Sequence, residues 1–300
     1  MSNACILCDS SKSKVVAEIP DLWLERLDKI FKYVQCENCG LIYQSPGLSR
    51  EQLMKYYSFE YRQTQAKKTY FHCIGLRRRA KIVTGNRNHG VLLDIGSGNG
   101  EFIRFMRDNY NWEVVGLEID CELAKTSVNL HQLKVFCGTL EEVNFNNNQF
   151  DAITLWDTLE HVPDPSNTLK EIRRIIKPDG ILILRLPNYD SRDARLFGKY
   201  WCGFDSPRHL FVFNERTINE LLMKANFHVE YTRSDIGSYL NFIKSIQFWM
   251  IGMGFSINFR RFFLRLLKTP ISRLIGFVFM AIKDVGGKGS ELVVVASPSK

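Results

Sequence analysis

The chain has 300 residues, 45% hydrophobic and 24% charged, with a formal net charge of +8. That length can bury a full core and leave room for a second small module. The proportions are those of a soluble globular protein, which excludes a mainly disordered or fibrous chain, and the basic charge suits nucleic acid, lipid headgroups or phosphorylated substrates as well as mere solubility. Met1 to Ser13 is polar and has no apolar core of the kind a secretory leader needs. The longest uncharged stretch, Ser245 to Phe259, is too short to span a bilayer and contains glycines. The expectation is a cytoplasmic protein without a transmembrane segment.

The first predicted element is a metal module over residues 1–48. Cys5 and Cys8 form one Cys-x-x-Cys pair, and Cys36 and Cys39 form a second, followed by Gly40. Two such knuckles can close a tetrahedron of thiolates, which suits zinc and leaves no open position for substrate. Strand-like pieces at Val15 to Ile19 and Ile30 to Gln35 suit a small zinc ribbon stabilised by structural Zn2+. The plainer reading is four buried or redox-active cysteines. Cys73, Cys121, Cys137 and Cys202 are scattered singly, so no disulfide framework is expected.

Residues 49–89 read as a helical linker or cap. Tyr56-Tyr57-Ser58-Phe59-Glu60-Tyr61 is aromatic and polar, and Arg77-Arg78-Arg79 with Lys81 lies on a helix. Asn86 to Gly90 is a turn-rich break. From residue 90 short apolar strands alternate with amphipathic helices. Strands are expected at Val91 to Ile95, Trp112 to Leu117, Leu133 to Phe136, Phe150 to Trp156 and Ile181 to Leu186. Helices are expected at Glu101 to Asn109, Glu122 to His131 and about Pro165 to Ile176, and Lys177-Pro178-Asp179-Gly180 is read as a turn. A helix at Glu215 to Ala225 and strands near His228 to Thr232 and Glu291 to Ala296 complete an α/β sheet with helices on both faces. That core comprises 90–237 and 289–300. Residues 238–288 form a helical insertion before the last strand, longer than an ordinary connection.

The turn Asp94-Ile95-Gly96-Ser97-Gly98-Asn99-Gly100 follows the first core strand and opens a helix. Glycines let the backbone turn sharply and let a ligand approach. A dinucleotide site instead spaces its glycines Gly-x-Gly-x-x-Gly and sets pyrophosphate on a helix N-terminus. Asp94 would repel a diphosphate and suits an ammonium group. Glu118, at the end of the second strand, can accept hydrogen bonds from both hydroxyls of a ribose.

At these residues the chain closely resembles the class I S-adenosylmethionine-dependent methyltransferases, from about Val91 to Leu186 and again at the final strand. The resemblance implies a Rossmann-like sheet and methyl transfer. It implies that Asp94, Gly96, Ser97, Gly98 and Gly100 hold the methionine part of S-adenosylmethionine, Glu118 its ribose and Ile119 one face of adenine. Cys137 to Glu142 aligns with the turn after the third strand, where Thr139 stands in place of a common aspartate and Leu140 offers a backbone contact. Trp156 ends the fourth strand, beside the methyl group.

The string Glu160-His161-Val162-Pro163-Asp164-Pro165 resembles small-molecule methyltransferases, including those acting on quinone precursors and sugars. Asp157, Glu160 and His161 have the spacing with which some relatives bind a divalent cation; a plain helix entry is the favoured reading. For a hydroxyl acceptor a histidine is the natural base, and His209 and His161 are the candidates. His209 sits in the polar-aromatic loop Trp201 to Phe211, where Arg208 could hold an anionic group on the acceptor. The cysteine pairs sharpen the resemblance toward the sugar C-methyltransferase group, so a glycan or lipid-linked sugar joins the small-molecule acceptors. In the insertion, aromatics, aliphatics and arginines interleave at helical spacing, as in Phe259-Arg260-Arg261-Phe262-Phe263. This suits a lid, a homodimer face or an element lying on a membrane surface. A zinc-module RNA methyltransferase, with Arg77 to Arg79 on phosphates, and a non-catalytic zinc-binding interaction protein are the alternatives; the Glu-His string and the His209 loop argue against nucleic acid.

Overall fold

A computed structural model describes residues 4–57, 70–234, 239–269, 272–276 and 288–299. The chain opens with strands β1 (Ser13–Asp21), β2 (Arg26–Cys36) and β3 (Ile42–Gln44), then helices α1 (Arg50–Met54) and α2 (Tyr70–Asn86). Next come β4 (Val91–Ile95), α3 (Glu101–Tyr110), β5 (Glu113–Glu118), α4 (Cys121–His131), β6 (Lys134–Cys137) and α5 (Leu140–Val143). They are followed by β7 (Phe150–Trp156), α6 (Pro165–Ile175), β8 (Ile176–Pro187), α7 (Arg192–Phe197), β9 (Phe211–Val212) and α8 (Glu215–Lys224). The last elements are β10 (Phe227–Ser234), α9 (Tyr239–Gly252), α10 (Ile257–Leu267) and β11 (Glu291–Pro298). The expected aromatic stretch from Ser58 to Tyr61 and the 277–287 part of the insertion lie outside the described residues.

The chain divides into two compact units. One comprises 1–66, 186–220 and 233–293; the other comprises 67–185, 221–232 and 294–300. The division cuts across the expected segments: the cysteine module, the His209 loop and the helical insertion share one unit.

That unit holds a four-stranded sheet ordered β1-β2-β3-β9. Its ladders are antiparallel, and the fourth strand comes from far along the chain, with Ile42 opposite Val212 and Tyr43 opposite Phe211. The cysteine module therefore does not close on itself. Its core carries an ion cluster around Arg208, which is 0% exposed. The Arg208 guanidinium donates to both oxygens of buried Asp21 at 2.9 and 3.1 Å, and to Asp205 Oδ1 at 2.7 and 3.0 Å. The Tyr33 hydroxyl donates to the His209 carbonyl at 2.9 Å, and the Ser206 hydroxyl to the Ile19 carbonyl at 3.1 Å. Arg208 was expected to meet an acceptor's anionic group. It instead joins the first strand to the loop 187 residues later, because a planar fork matched to two carboxylates is stable in a dry interior where a lone cation is not. In the insertion, α9 buries Ile243, Phe248, Met250 and Ile251, and α10 docks through Leu264 and Arg260, whose guanidinium reaches both oxygens of Glu25 at 2.8 Å.

The other unit is built on a seven-stranded sheet ordered β10-β11-β8-β7-β4-β5-β6. β4 pairs parallel with β5 and β7, β5 with β6, and β7 with β8, within a sheet that is mixed as a whole. All seven residues of β7 are buried, as a strand covered on both faces requires. α3 turns Phe102, Ile103 and Met106 inward, and α6 turns Leu169, Ile172 and Ile175 inward. The expected turn at Lys177 to Gly180 is instead an irregularity within β8. The pairing jumps from Phe150 opposite Ile176 to Ala152 opposite Ile181 while the backbone stays extended, since Pro178 removes a ladder donor without forcing a reversal. Among the described residues no helix is long and apolar enough to cross a membrane.

Replacing Arg208 by alanine leaves Asp21 and Asp205 buried without their shared cation. The expected loss is about 3–5 kcal/mol of unfolding free energy, read from urea denaturation; a loss of only a few tenths would show that the cluster contributes little.

Candidate functional site

The strand order reverses at β4: β5 and β6 lie on one side, β7 and β8 on the other. In open α/β sheets that reversal leaves a crevice beyond the carboxyl ends of the strands. Here β4 ends in Asp94-Ile95 and passes into the glycine turn. Gly96 (φ 76°) and Gly98 (φ 56°) occupy left-handed backbone, which side chains with a Cβ rarely adopt. A Cβ on Gly96 would lie 2.4 Å from Thr158 Oγ1, whereas around Gly98 the same position meets nothing within 4 Å. The Gly96 and Ser97 amides donate to the Leu117 carbonyl at 2.7 and 3.1 Å, holding the turn against β5.

Two buried carboxylates adjoin this turn, Asp94 on the strand leading into it and Glu118 on the Gly98 amide. Asp94 is 3% exposed and accepts a 2.7 Å hydrogen bond from the Thr154 hydroxyl. Burial pushes its pKa up to about 7; the Thr154 bond and the Arg79 charge oppose the shift, and the Glu118 charge adds to it. Glu118 is 7% exposed, and burial raises its pKa against the pull of backbone hydrogen bonds. Its Oε2 accepts from the Gly98 amide at 2.7 Å and its Oε1 from the Asp120 amide at 3.0 Å. Each oxygen has a second lone pair, so the brace leaves capacity for ligand hydroxyls.

The surroundings of the other expected residues are as follows. Ser97 is buried, its hydroxyl over Gly116. Ile119 is partly exposed directly after Glu118. Thr139 caps α5 by a reciprocal bond with Glu142, so its hydroxyl serves the helix, and Leu140 is buried behind it. Trp156 is buried with its ring edge-on to Phe102 at 5.3 Å, and the Arg79 guanidinium lies 5.1 Å from its ring centroid.

Beyond Trp156, Asp157 takes up left-handed backbone at φ 56°. Arg185 grips both of its oxygens, the Nε contact being 2.9 Å, and Arg79 stands 3.7 Å away. Two guanidiniums beside one carboxylate repel a cation, so Asp157 is not placed as a ligand alongside Glu160 and His161. His161 is half-buried, its amide donating to the Thr158 carbonyl at 3.0 Å. His209 belongs to the other unit; it is buried, with Nδ1 2.8 Å from the Gly203 carbonyl oxygen.

Three contributors were not singled out from sequence, Thr154, Thr158 and Arg185, and Arg79 was read only as part of a basic cluster for phosphates. Thr154 had a signal, because it stands opposite Asp94 in the parallel ladder and so shares its face. Cys121 and Cys137, read as single cysteines, are joined in a disulfide. They start α4 and end β6, and the crossover between adjacent strands brings them together, which linear spacing does not reveal.

The thiols of Cys5, Cys8, Cys36 and Cys39 all lie within 4.8 Å of one another, with Cys5–Cys39 at 3.4 Å and Cys8–Cys36 at 3.5 Å. The edges of a zinc–thiolate tetrahedron are about 3.7 Å, from Zn–S distances of about 2.3 Å. The Arg216 guanidinium donates to the Cys39 carbonyl and braces the second knuckle.

Strand order, glycine turn and paired carboxylates define the class I S-adenosylmethionine-dependent methyltransferase architecture. A family model described as a methyltransferase domain matches residues 60–232, more than half of the chain, and the chain belongs to that family. An uncharacterized protein of Methanocaldococcus jannaschii is 36% identical over 34% of this chain and 39% of its own length. The glycine/sarcosine/dimethylglycine N-methyltransferase of Actinopolyspora halophila is 26% identical over 32% of this chain and 18% of its own length. The chain thus spans well under half of these relatives. Among solved structures, a Galdieria sulphuraria protein proposed to be a sarcosine dimethylglycine methyltransferase superposes with a TM-score of 0.51 at 17% identity, covering 84% of this chain and 92% of that one. It shares the fold.

Proposed function

We propose that the chain transfers a methyl group from S-adenosylmethionine to a small-molecule acceptor. The observation that carries this reading is the open backbone at Gly98, its amide held by buried Glu118, with buried Asp94 on the strand that leads into the same glycine turn. Asp94 takes the ammonium of the methionine part, the glycine turn admits its backbone-sized groups, and Glu118 accepts from the ribose hydroxyls. Ile119 and Leu140 flank the adenine, and Trp156 borders the reacting end. Bound S-adenosylmethionine supplies a methyl already activated on a sulfonium, so the protein mainly orients the acceptor and excludes water. The small-molecule class is supported by the Actinopolyspora relative, whose name specifies glycine, sarcosine and dimethylglycine. Cys5, Cys8, Cys36 and Cys39 hold a structural zinc, whose closed shell leaves the chemistry to the sheet.

Calorimetry with S-adenosylhomocysteine tests the cofactor reading. With its pKa raised to about 7, Asp94 is protonated below that pH in the free protein and must lose its proton to meet an ammonium. Affinity should therefore rise as pH increases toward 7, approaching about tenfold per unit on the acid side, and Asp94→Asn should bind weakly and without this dependence. Tight, pH-independent binding by that variant would remove Asp94 from the role.

For a hydroxyl acceptor, His161 and His209 are the proposed bases. The Gly203 carbonyl can accept only a hydrogen, so it places the neutral His209 proton on Nδ1 and makes Nε2 the accepting nitrogen. Loss of the true base should lower turnover by about 10²–10⁴-fold with S-adenosylhomocysteine affinity unchanged. A His→Ala variant that keeps full turnover is not the base.

Metal analysis should find one zinc per chain. Cys36→Ser should lose it and lower the melting temperature; a variant as stable as the parent would contradict a structural metal.

A further inference from the structure

The insertion helix α10 faces the wrong way for a purely internal element. Phe259, Phe262, Phe263 and Leu266 follow the i, i+3, i+4, i+7 spacing of a single apolar stripe, which in a globular protein faces the core. Here Arg260 and Leu264 face the protein, while Phe259 is 48% exposed, Phe262 61% and Leu266 49%. The stripe continues beyond the helix. Phe263 stacks on Phe259 at 6.3 Å, Phe259 on Phe255 at 5.4 Å, and Phe255 lies 5.6 Å from Trp249. An exposed, connected aromatic surface of this kind marks an interaction site.

Charge identifies the occupant. From Ile236 to Lys283 the sequence holds no aspartate or glutamate. Arg261 and Arg265, both exposed and four residues apart, line one flank of the stripe, and Lys268 follows. We propose that this face docks on the surface of an anionic lipid bilayer, with the aromatics at the headgroup–acyl boundary and the arginines on lipid phosphates. Arginine suits this because its stem lies along apolar surface while its head stays with phosphate. A second copy of the chain fits less well: a two-fold contact sets each patch against itself and brings these arginines together with no acid in the 236–283 segment to meet them. The helix lies on the bilayer and does not cross it, since no described helix is long and apolar enough to do so. The inference is independent of methyl transfer and would hold for a chain that bound no cofactor.

Sedimentation of the full chain with vesicles tests it, using phosphatidylcholine alone and phosphatidylcholine mixed with phosphatidylglycerol. Binding is expected to the mixed vesicles only, and to weaken as salt is raised. Phe262→Glu, and separately Arg261→Glu with Arg265→Glu, should each weaken binding by about tenfold or more without changing the melting temperature, whereas Phe262→Trp should retain it. No sedimentation with mixed vesicles would overturn the proposal, as would binding that both acidic variants leave unchanged. A dimer seen by analytical ultracentrifugation, lost in Phe262→Glu and accompanied by no vesicle binding, would assign the face to a second copy instead.

Discussion

The site depends on the reversal of strand order at β4. Crossovers carry the chain from β4 through β5 to β6 in one direction, and from β7 to β8 in the other, and such parallel connections are right-handed as a rule. No crossover helix can then cover the carboxyl end of β4, and a crevice remains there. Asp94 stands at that edge, dry enough that its pKa rises to about 7. A carboxylate held so far from bulk water is costly in the empty protein, and this is the cost that the ammonium proposed for it would offset. The same desolvation would strengthen an ion pair formed there. Thr154 and Glu118 complete the arrangement: one orients Asp94 from the neighbouring strand, and the other ties the glycine turn to the end of β5.

Much of this was legible in the sequence because it is local. The strand, the aspartate and the glycines at positions 94–100 are contiguous, and each has a physical reason to be where it is. Glu118 is one strand further on, in a βαβ unit whose geometry is nearly invariant. The two Cys-x-x-Cys pairs are equally local, and their thiols converge as the spacing implies. The partners supplied across the sheet were harder to see. Thr154 becomes a neighbour of Asp94 only through the ladder register, and Arg79 and Arg185 reach Asp157 from a helix and a strand far apart in sequence. Cys121 and Cys137 show the same limit.

Arg208 shows how a sequence pattern can be chemically right and functionally misread. An arginine with an aspartate three residues before it, in a loop of aromatics, looks the same whether it waits for a ligand's carboxylate or already holds one from the protein. What decides is Asp21, which no local pattern connects to it. Once Asp21 and Asp205 are both engaged, the guanidinium is a strut between the cysteine module and the later loop. The short ladder of β3 with β9 acts in the same sense. The cysteine module is thereby part of a larger unit rather than an appended ribbon, which explains how so short a segment is held without a full core of its own.

The insertion helix illustrates a different ambiguity. Helical periodicity shows that a stripe exists but not which way it faces, because a stripe turned inward and one turned outward have the same spacing. The direction of α10 is set by Arg260, whose pairing with Glu25 fixes one face of the helix against the protein and leaves the phenylalanines outside. Arg260 thus anchors the helix together with Leu264 while the phenylalanine stripe forms the exposed surface, a reversal of where such a stripe usually faces. That reversal separates what is general in the molecule from what is particular to it. The sheet end with Asp94 and Glu118 belongs to the family's common architecture, and a fold of this kind does not by itself select an acceptor. What is particular lies in the other unit, where α9 and α10 carry the exposed chemistry least like that of a simple soluble surface.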